Sequence, residues 1–426
     1  MKSLKTRRIH LGVLIGLLCL NAAGLSAAEG VPAEELNAGA TLLPKPAARP
    51  ADWVVEHDPV NPNATPEARA LLKYLYTIAG KHTLIGQHNF IGVQARSTAA
   101  AAQRLGKTPA LYGTDWGFAK AGDIDTIYAR DLAVKELIQQ HRNGSIIAIC
   151  WHEVRPTADE PVTFRGSPTS IQGQLSHAEW EQLLTPGSEI NLRWCAQVDV
   201  IAGYLKQLQA ARVPVLWRPV HEMNGGWFWW GGRVGDRGTR QLYRMMYDRL
   251  VHVHQLNNLI WVWNCDRPNG TYAQFVDYFP GQQYVDVLAL DCYAAVDQRY
   301  YDELNALSDG KVMAISEGNV PSLETYQTQP KWTYYLSWAG VRSPVTDSKT
   351  LPGAAATNAP SGRRGGGDGG RGGVNLAEMA KDPRMFSLED ETYWESIRPL
   401  RAACGLSLER VRPPAIPAPL TPSAAP

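Results

Sequence analysis

Short apolar runs alternate with longer amphipathic segments from residue 65 to residue 404. The segment TPEARALLKYLYTIAG at residues 65–80 begins at a capping threonine, spaces its apolar side chains as a helix does and closes at a glycine. Further helices are predicted at Thr126–Arg142, Asn191–Ala211, Arg237–Leu256 and Ser387–Cys404. The short runs are predicted to be strands, at Thr83–Gln87, Pro109–Gly113, Ser145–Trp151, Val213–Arg218, Leu259–Asn264, Val285–Asp291, Lys311–Ser316 and Thr333–Trp338.

This alternation predicts repeated βα units around a parallel sheet, and eight such strands predict an α/β fold of the closed (β/α)8 TIM barrel type. Polar or aromatic groups follow every predicted strand. They are Gln87-His88-Asn89, Asp115-Trp116, Trp151-His152-Glu153, His221-Glu222, Asn264 with Asp266, Asp291 with Tyr293, Glu317, and Trp338. Because the carboxyl ends of barrel strands meet on one face, where active sites are built, this order predicts an enzyme.

The two ends of the chain differ in composition from this region. Residues 1–28 carry basic residues, an apolar run from Leu11 to Leu20 and the small-residue sequence Ser26-Ala27-Ala28, which together predict a cleaved secretion signal. Residues 29–62 are rich in Ala and Pro and are expected to be a flexible linker. The barrel is then expected at 63–411 and a disordered Pro-rich tail at 412–426. We therefore expect a secreted or periplasmic monomer that has no membrane segment after signal cleavage.

A Gly/Arg-rich stretch near residues 353–374 interrupts the predicted barrel before its last helix. RGG-like sequences can bind RNA, but an exported protein seldom meets RNA, so a surface insertion is the preferred interpretation. A net charge of +1 with 19% charged residues also gives no indication of a nucleic-acid partner.

Cysteine spacing argues against a structural metal site. Five cysteines follow the predicted signal, an odd number, and none has the CxxC spacing of a structural zinc site. A disulfide between Cys265 and Cys292 is possible if their strands are neighbours, which the sequence leaves open.

The most unusual stretch is LWRPVHEMNGGWFWWGG at residues 216–232. It places Arg218, His221, Glu222 and Asn224 within seven residues and follows them with the aromatic run 227–230. A pyranose ring offers C–H faces to aromatic rings and hydroxyls to polar groups, so this mixture suits a sugar. The alternative is a buried polar cluster that holds a loop, with the tryptophans in the core.

Two glutamates supply the candidate chemistry. Glu222 follows the fourth predicted strand and Glu317 the seventh, so they are expected to face each other across the barrel mouth. Glycoside hydrolysis uses such a pair, in which one carboxyl protonates the leaving oxygen and the other attacks the sugar or activates water. The alternative for each glutamate alone is an ordinary buried ion pair with a nearby arginine.

The run from Arg218 through His221-Glu222-Met-Asn224 to Trp227 and Gly231 resembles the acid/base segment of glycoside hydrolase family 26, whose best-known members are endo-β-1,4-mannanases. The resemblance covers roughly residues 65 to 405. It extends, in the same order, to Gly86-Gln87-His88, Trp151-His152, the stretch Asp286 to Tyr293, Glu317-Gly318 and Trp338.

The resemblance implies a retaining hydrolase of β-mannan without a metal or organic cofactor. In it Glu222 is the general acid and then the general base, and Glu317 is the nucleophile. It further implies that His221 forms hydrogen bonds near Glu317 and the sugar, that Tyr293 orients Glu317, and that Arg218 orients both carboxylates from below. The implied substrate-binding residues are His152, His221, Trp227, Tyr293, Trp338, Arg218 and Asn224, with Trp338 as the floor of the subsite for the distorted sugar.

Two features depart from the family pattern. Trp151-His152 is followed by Glu153 to Pro156, where the pattern has another aromatic residue and an Asn, and the Gly/Arg-rich insertion follows the eighth strand. Members of the family also cleave mixed-linkage β-glucan or β-1,3-xylan, so these substrates stay open, as does a non-catalytic polysaccharide-binding protein. The presence of both glutamates favours the enzyme.

Overall fold

The computed structural model describes residues 53–122, 124–268, 274–339 and 376–413. Within these residues the strands are β1 (Thr83–Asn89), β2 (Leu111–Asp115), β3 (Ile146–Cys150), β4 (Val215–Arg218), β5 (Leu259–Asp266), β6 (Val287–Cys292), β7 (Val312–Gly318), β8 (Trp332–Ser337) and β9 (Met385–Phe386). The helices are α1 (Pro66–Ile78), α2 (Arg96–Leu105), α3 (Arg130–Arg142), α4 (His177–Leu184), α5 (Glu189–Ala210), α6 (Thr239–Asp248), α7 (Phe275–Tyr278), α8 (Gln298–Ser308), α9 (Leu323–Thr328), α10 (Leu376–Met379) and α11 (Glu391–Ala403).

Strands β1 to β8 close into a parallel barrel. Each pairs with its neighbours in chain order, and β1 pairs with both β2 and β8, which completes the ring. The predicted (β/α)8 barrel is therefore confirmed, with every strand within a few residues of its predicted bounds. The short β9 was not predicted, and it pairs with the start of β1 outside the ring.

Alternate residues of the strands serve two separate cores. On β3, Ile147 and Ile149 pack outward against the helices, whereas Ile146 and Ala148 belong to a second cluster that fills the barrel. That second cluster continues into α1 and α11, which pack against each other near the amino ends of the strands. Period-two alternation of this kind leaves only the carboxyl ends of the strands free to carry polar groups inward.

Three predicted helices differ from the structure at their ends. The segment before α3 is a 3-10 turn, Ile127–Ala129, whose cap is the Thr126 hydroxyl. The last turn predicted for α6 is a π-helix, Arg249–Val253. Helix α11 begins later than its predicted start at Ser387, because the Ser387 amide and hydroxyl both donate to the Asp390 carboxylate just before the helix.

Residues of the predicted linker that the structure describes contact the barrel. The Val60 amide donates to Asp286 on the loop before β6, and Asn61 is fully buried, with its side chain bonded to Asn257. The predicted signal, most of the predicted linker and the Gly/Arg-rich insertion lie outside the described residues, as does the tail from residue 414.

No disulfide joins Cys265 to Cys292. Their strands β5 and β6 are neighbours, but Cys265 lies opposite Leu290 in the register, and both thiols are free. The other three cysteines after the predicted signal are also free. Across the described ranges, no helix combines the length and apolar character needed to cross a membrane.

Candidate active site

The carboxyl ends of β4 to β7 carry polar side chains into the barrel mouth. Arg218 closes β4, Asn264 lies near the end of β5, Asp291 near the end of β6 and Glu317 near the end of β7. All four side chains are buried. Their neighbours Trp217, Trp263 and Leu290 belong to the outer core, so the pleat of these strands turns Arg218, Asn264 and Asp291 inward.

Glu317 accepts a hydrogen bond on each carboxylate oxygen. The Arg218 guanidinium donates to Oε2 at 2.8 Å, and the Tyr293 hydroxyl donates to Oε1 at 2.5 Å. Tyr293 is 39% exposed and lies just beyond β6, so it approaches Glu317 from the solvent side. The expected contacts of Arg218 and Tyr293 with Glu317 are therefore present in the structure.

Asp291 shares the guanidinium of Arg218. Nη1 of Arg218 donates to Oδ2 at 2.7 Å, while the Asn264 amide and the Ser316 hydroxyl each donate to Oδ1 at 2.8 Å. Burial raises the pKa of Asp291 well above its usual value, and the nearby Glu317 carboxylate adds to this, although Arg218 acts in the opposite direction. The result is a buried network that fixes Arg218 beneath the glutamate.

An irregularity between β6 and β7 allows Ser316 and Glu317 both to take part in this network. Leu290 pairs with Ile315, but the next residue, Asp291, pairs with Glu317, so Ser316 is an extra residue on β7. Such bulges redirect a side chain at the end of a strand. Ser316 bonds Asp291, and Glu317, next to it in the chain, bonds the same arginine.

Glu222 lies on a loop with an unusual backbone just after β4. Its φ is +50°, a left-handed value that is uncommon for a residue with a side chain, and Val220 has the same φ. The side-chain oxygen of Asn264 accepts from the Glu222 amide at 2.8 Å and anchors this conformation. Both strained residues are buried, and strain of this kind persists only where surrounding contacts hold it.

The environment of the Glu222 carboxyl favours its protonated form. Only 7% of the residue is exposed, and burial raises its pKa well above the usual value. The nearby carboxylates of Glu317 and Asp291 raise the pKa further, while a 2.6 Å hydrogen bond from the Trp227 indole to Oε2 acts against them.

The carboxyl groups of Glu222, Asp291 and Glu317 converge. Each offers one oxygen, and these three oxygens lie within 4.8 Å of one another. A cation could in principle bind three such oxygens, but the guanidinium of Arg218 already bonds two of the carboxylates and supplies the compensating charge.

Two histidines form a pair on the other side of Glu222. Nε2 of His221 lies 3.2 Å from Nε2 of His152, and Nδ1 of His152 lies 2.8 Å from Asp115. Burial lowers the pKa of His221 well below its usual value, and neighbouring His152 and Arg218 lower it further. The expected hydrogen bond of His221 near Glu317 is absent among the described residues, because the ring turns towards His152.

The aromatic residues divide by burial. Trp229 and Trp230 are fully buried, and their indoles donate to the main-chain carbonyls of Glu153 and His221, so both pack the loop. Trp227 is partly exposed and contacts Glu222. Trp338 is half-buried and stacks on His88, with ring centroids 3.6 Å apart and planes 16° apart.

Asn224 is placed differently from the other sequence-derived candidates. Its side-chain amide donates to the Asp266 carbonyl, and its side-chain oxygen accepts from the Asp266 amide. Both ends of a buried side chain are therefore occupied by the main chain at the end of β5. This geometry joins two loops and leaves the group little capacity to contact a ligand.

Sequence reasoning did not select three residues that the structure places in these networks, Asp115, Asn264 and Asp291. Each lies at or near the carboxyl end of a strand, where a polar side chain follows apolar residues. A polar residue at the end of a strand was the available signal. Because every predicted strand has one, the signal could not show which of these side chains contact each other.

Comparison with known proteins points to the same family as the sequence motifs. The model of glycosyl hydrolase family 26 matches residues 60–353. A mannan endo-1,4-beta-mannosidase of Thermothelomyces thermophilus is 32% identical over 297 residues, which are 65% of this chain and 56% of that protein. The chain spans about half the length of the first curated relatives that it matches.

Solved structures agree with this. GH26A from a Muricauda species is 41% identical with a TM-score of 0.61, and the match covers 65% of this chain and 90% of that one. The Podospora anserina GH26-CBM35 beta-(1,4)-mannanase is 28% identical with a TM-score of 0.61, and the match covers 83% of this chain and 72% of that one. Because the family model extends over more than half of the residues and the barrel is the same, the chain belongs to glycosyl hydrolase family 26.

Proposed function

We propose that this protein is a retaining glycoside hydrolase that cleaves β-1,4-mannosidic bonds in mannans. The observation that carries the proposal is the asymmetric pair of glutamates. One carboxyl oxygen of Glu222 and one of Glu317 lie within 4.8 Å of each other, yet Glu222 lies in surroundings that favour a proton and Glu317 accepts a hydrogen bond on each oxygen. Two neighbouring carboxyls with such different environments suit the two roles of a retaining mechanism.

In the first step Glu222 donates its proton to the glycosidic oxygen as the bond to the anomeric carbon breaks. Glu317 attacks that carbon and forms a covalent glycosyl-enzyme. Arg218 and Tyr293 hold the attacking carboxylate in a single orientation through both of its oxygens. Holding the reacting groups in a productive geometry lowers the entropic part of the barrier.

In the second step Glu222, now ionised, takes a proton from water, and the water oxygen attacks the anomeric carbon from the side that the leaving group vacated. Glu317 is released as a carboxylate, and the product keeps its β configuration. The hydrogen bond from Trp227 to Oε2 stabilises Glu222 in the ionised form that this step requires.

The aromatic residues around the carboxyls are proposed to bind the sugar. Trp227 and Trp338 are the tryptophans of the predicted site with exposed ring surface, and His152 lies 5.8 Å from Trp338 between ring centroids. Such rings suit the C–H face of a pyranose. Mannan is the proposed substrate because several relatives are described as mannan endo-1,4-beta-mannosidases, and a structural neighbour that is 28% identical is described as a beta-(1,4)-mannanase.

The mechanism is tested with Glu222→Ala and Glu317→Ala on an activated aryl β-mannobioside in the presence of azide. Azide should rescue Glu317→Ala with formation of the inverted α-azide, because azide replaces the nucleophile. It should rescue Glu222→Ala with formation of the retained β-azide, because azide replaces the activated water. Glu395→Ala, on the exposed face of α11, is the matched control and should turn over as wild type does. An inverted product from the wild-type enzyme would overturn the mechanism.

The substrate is tested by reducing-sugar release from mannan, mixed-linkage β-glucan and β-1,3-xylan side by side. We expect the highest kcat/KM on mannan. Faster hydrolysis of either other polymer would reassign the substrate within the same mechanism. Binding of mannan with no cleavage of any β-glycan would instead support a polysaccharide-binding protein.

We also propose that the enzyme is exported and acts as a monomer. The support is the basic, apolar and small-residue order of residues 1–28. Amino-terminal sequencing of the protein recovered from outside the cytoplasm is expected to start after Ala28. A protein that keeps Met1 and stays inside the cell would contradict export, and sedimentation of the purified protein would measure its oligomeric state.

A further inference from the structure

Asp115 is a buried carboxylate, and each of its oxygens accepts a hydrogen bond. Oδ1 accepts from the Gly117 amide at 2.5 Å, and Oδ2 accepts from the His152 amide at 3.0 Å. The Cys150 thiol also donates to Oδ2, at 3.3 Å. Main-chain and thiol donors therefore hold both oxygens as acceptors at the end of β2, which is the state of an ionised carboxylate.

The same Oδ2 lies 2.8 Å from Nδ1 of His152. An ionised carboxylate oxygen can only accept, so Nδ1 of His152 must carry a proton. In a neutral imidazole this leaves a lone pair on Nε2. Nε2 of His152 lies 3.2 Å from Nε2 of His221, so the proton between the two rings must then belong to His221.

With both rings neutral, only this placement of protons satisfies both ring contacts. This placement of protons also determines the state of the other ring nitrogen of His221. Its Nδ1 is buried and has no hydrogen-bond partner in the part of the chain that the structure describes. In this placement Nδ1 bears a lone pair. The next residue in the chain is Glu222.

We propose that Asp115 is a positioning residue that fixes the tautomers of His152 and His221, so that the hydrogen bonds run from His221 through His152 to Asp115. Asp115 itself does not touch the reacting atoms. It acts by holding two rings beside Glu222 in one orientation and one protonation pattern. The role of Asp115 in catalysis rests on the proposed function, but the tautomers of the two histidines can be measured whether or not the protein has that function.

Asp115→Ala removes the carboxylate that accepts from Nδ1 of His152. Asparagine is less informative, because Oδ2 also accepts from the His152 amide and the Cys150 thiol, so an NH₂ group at that position would face other donors. Without the carboxylate nothing holds the proton on Nδ1 of His152, and either nitrogen of each ring can carry it.

The test combines nitrogen NMR of histidine-labelled protein with steady-state kinetics. In the wild type at a pH where both rings are neutral, we expect the proton on Nδ1 of His152 and on Nε2 of His221. In Asp115→Ala both rings should show a mixture of the two tautomers, and kcat should fall by on the order of 10²-fold with a smaller change in KM. Thermal unfolding checks that the variant is folded.

Asp199→Ala is the matched control. Asp199 accepts from Nε2 of His254 at 2.6 Å and pairs with Arg249, and both partners follow α6 on the outside of the barrel. This change should alter the signals of His254 and leave kcat unchanged.

The inference is overturned if the wild-type rings carry the opposite protons, a measurement that needs no variant to fold. It is also overturned if Asp115→Ala changes neither the tautomers nor kcat, or releases the tautomers with full activity. If the wild type cleaves no β-glycan, the proposed function fails, but the tautomers of wild type and variant still decide whether Asp115 positions the histidines.

Discussion

The indole of Trp227 donates a hydrogen bond to Glu222, the proposed general acid. The bond lowers the pKa of a carboxyl that burial and neighbouring carboxylates raise. Because the general acid works only while protonated, activity should fall as pH rises through this pKa. In Trp227→Phe the donor is lost, so the alkaline limb of kcat/KM should move to higher pH, as a pH–rate profile would measure.

A tryptophan outside the site provides the control for this prediction. The indole of Trp180 on α4 also donates one hydrogen bond, to the Arg237 carbonyl. Trp180→Phe should leave the alkaline limb where it is, even if stability falls. A limb that moves to lower pH in Trp227→Phe, or does not move, would show that Trp227 does not stabilise the ionised form of Glu222.

Glu153 is a second buried carboxyl, and it affects stability. Burial raises its pKa to about 8, against which the hydrogen bond from the Trp194 indole has only a partial effect. Because the folded state holds this proton more tightly than the unfolded state, the stability it contributes is present below the usual pKa of a glutamate and is lost as pH rises through about 8.

We therefore predict that Glu153→Gln flattens the pH dependence of unfolding between pH 5 and 8.5. The wild type should lose at most about 1.4 kcal/mol per pH unit from this group, and the glutamine, which cannot ionise, should lose none of it. Urea unfolding at several pH values measures the difference, with the exposed Glu395→Gln as control. Parallel pH profiles for wild type and Glu153→Gln would contradict the assignment.

At the scale of elements, the strands and their order could be predicted from the sequence, but the contacts at their ends could not. The apolar runs predicted each of the eight barrel strands, because a buried parallel strand needs a continuous apolar stretch. The bulge at Ser316 and the left-handed turn at Val220 and Glu222 have no such signature, since a valine at positive φ runs against its own preference. These irregularities decide which polar side chains meet.

Gly318 marks another such irregularity, at the end of β7 directly after Glu317. Its φ is +143°, and a Cβ at this position would lie 2.0 Å from the main-chain oxygen of Cys292. Gly318→Ala must therefore push the strand away from β6 and displace Glu317. We expect a loss of roughly 2–4 kcal/mol in the free energy of unfolding and a fall in kcat, measured by urea unfolding and by hydrolysis rates.

A substitution of Gly80, at the end of α1, is the control that distinguishes steric conflict from backbone strain. Its φ is +75°, but a Cβ there would meet nothing within 4 Å. Gly80→Ala should cost only the strain of a left-handed residue, about 1–2 kcal/mol, and leave kcat unchanged. Equal effects of the two substitutions on both stability and kcat would show that the Cys292 contact does not position Glu317.

At the scale of the whole domain, one end of the barrel carries the candidate site and the other end carries helix packing. The carboxyl ends of the strands carry the carboxyls, Arg218 and the histidine pair, whereas α1 and α11 pack against each other near the amino ends. The polar residues after the strands allowed the site at the carboxyl ends to be predicted from the sequence. The contacts that residues before 63 make with the barrel could not be predicted, because an Ala/Pro-rich stretch has no periodicity by which packing could be recognised.

The segment 53–62 is predicted to stabilise the domain although it carries no regular secondary structure. The Val60 amide donates to Asp286, the Val60 carbonyl accepts from the Tyr247 hydroxyl, and Asn61 bonds Asn257. A protein that starts at residue 63 leaves these buried groups without partners, each at a cost of about 1–3 kcal/mol. Its Tm should therefore lie several degrees below that of a protein that starts at residue 53, while kcat is kept because the segment bonds only groups outside the carboxyl network. Calorimetry of the two proteins measures this, and equal Tm values would mean that residues 53–62 lie on the barrel without stabilising it.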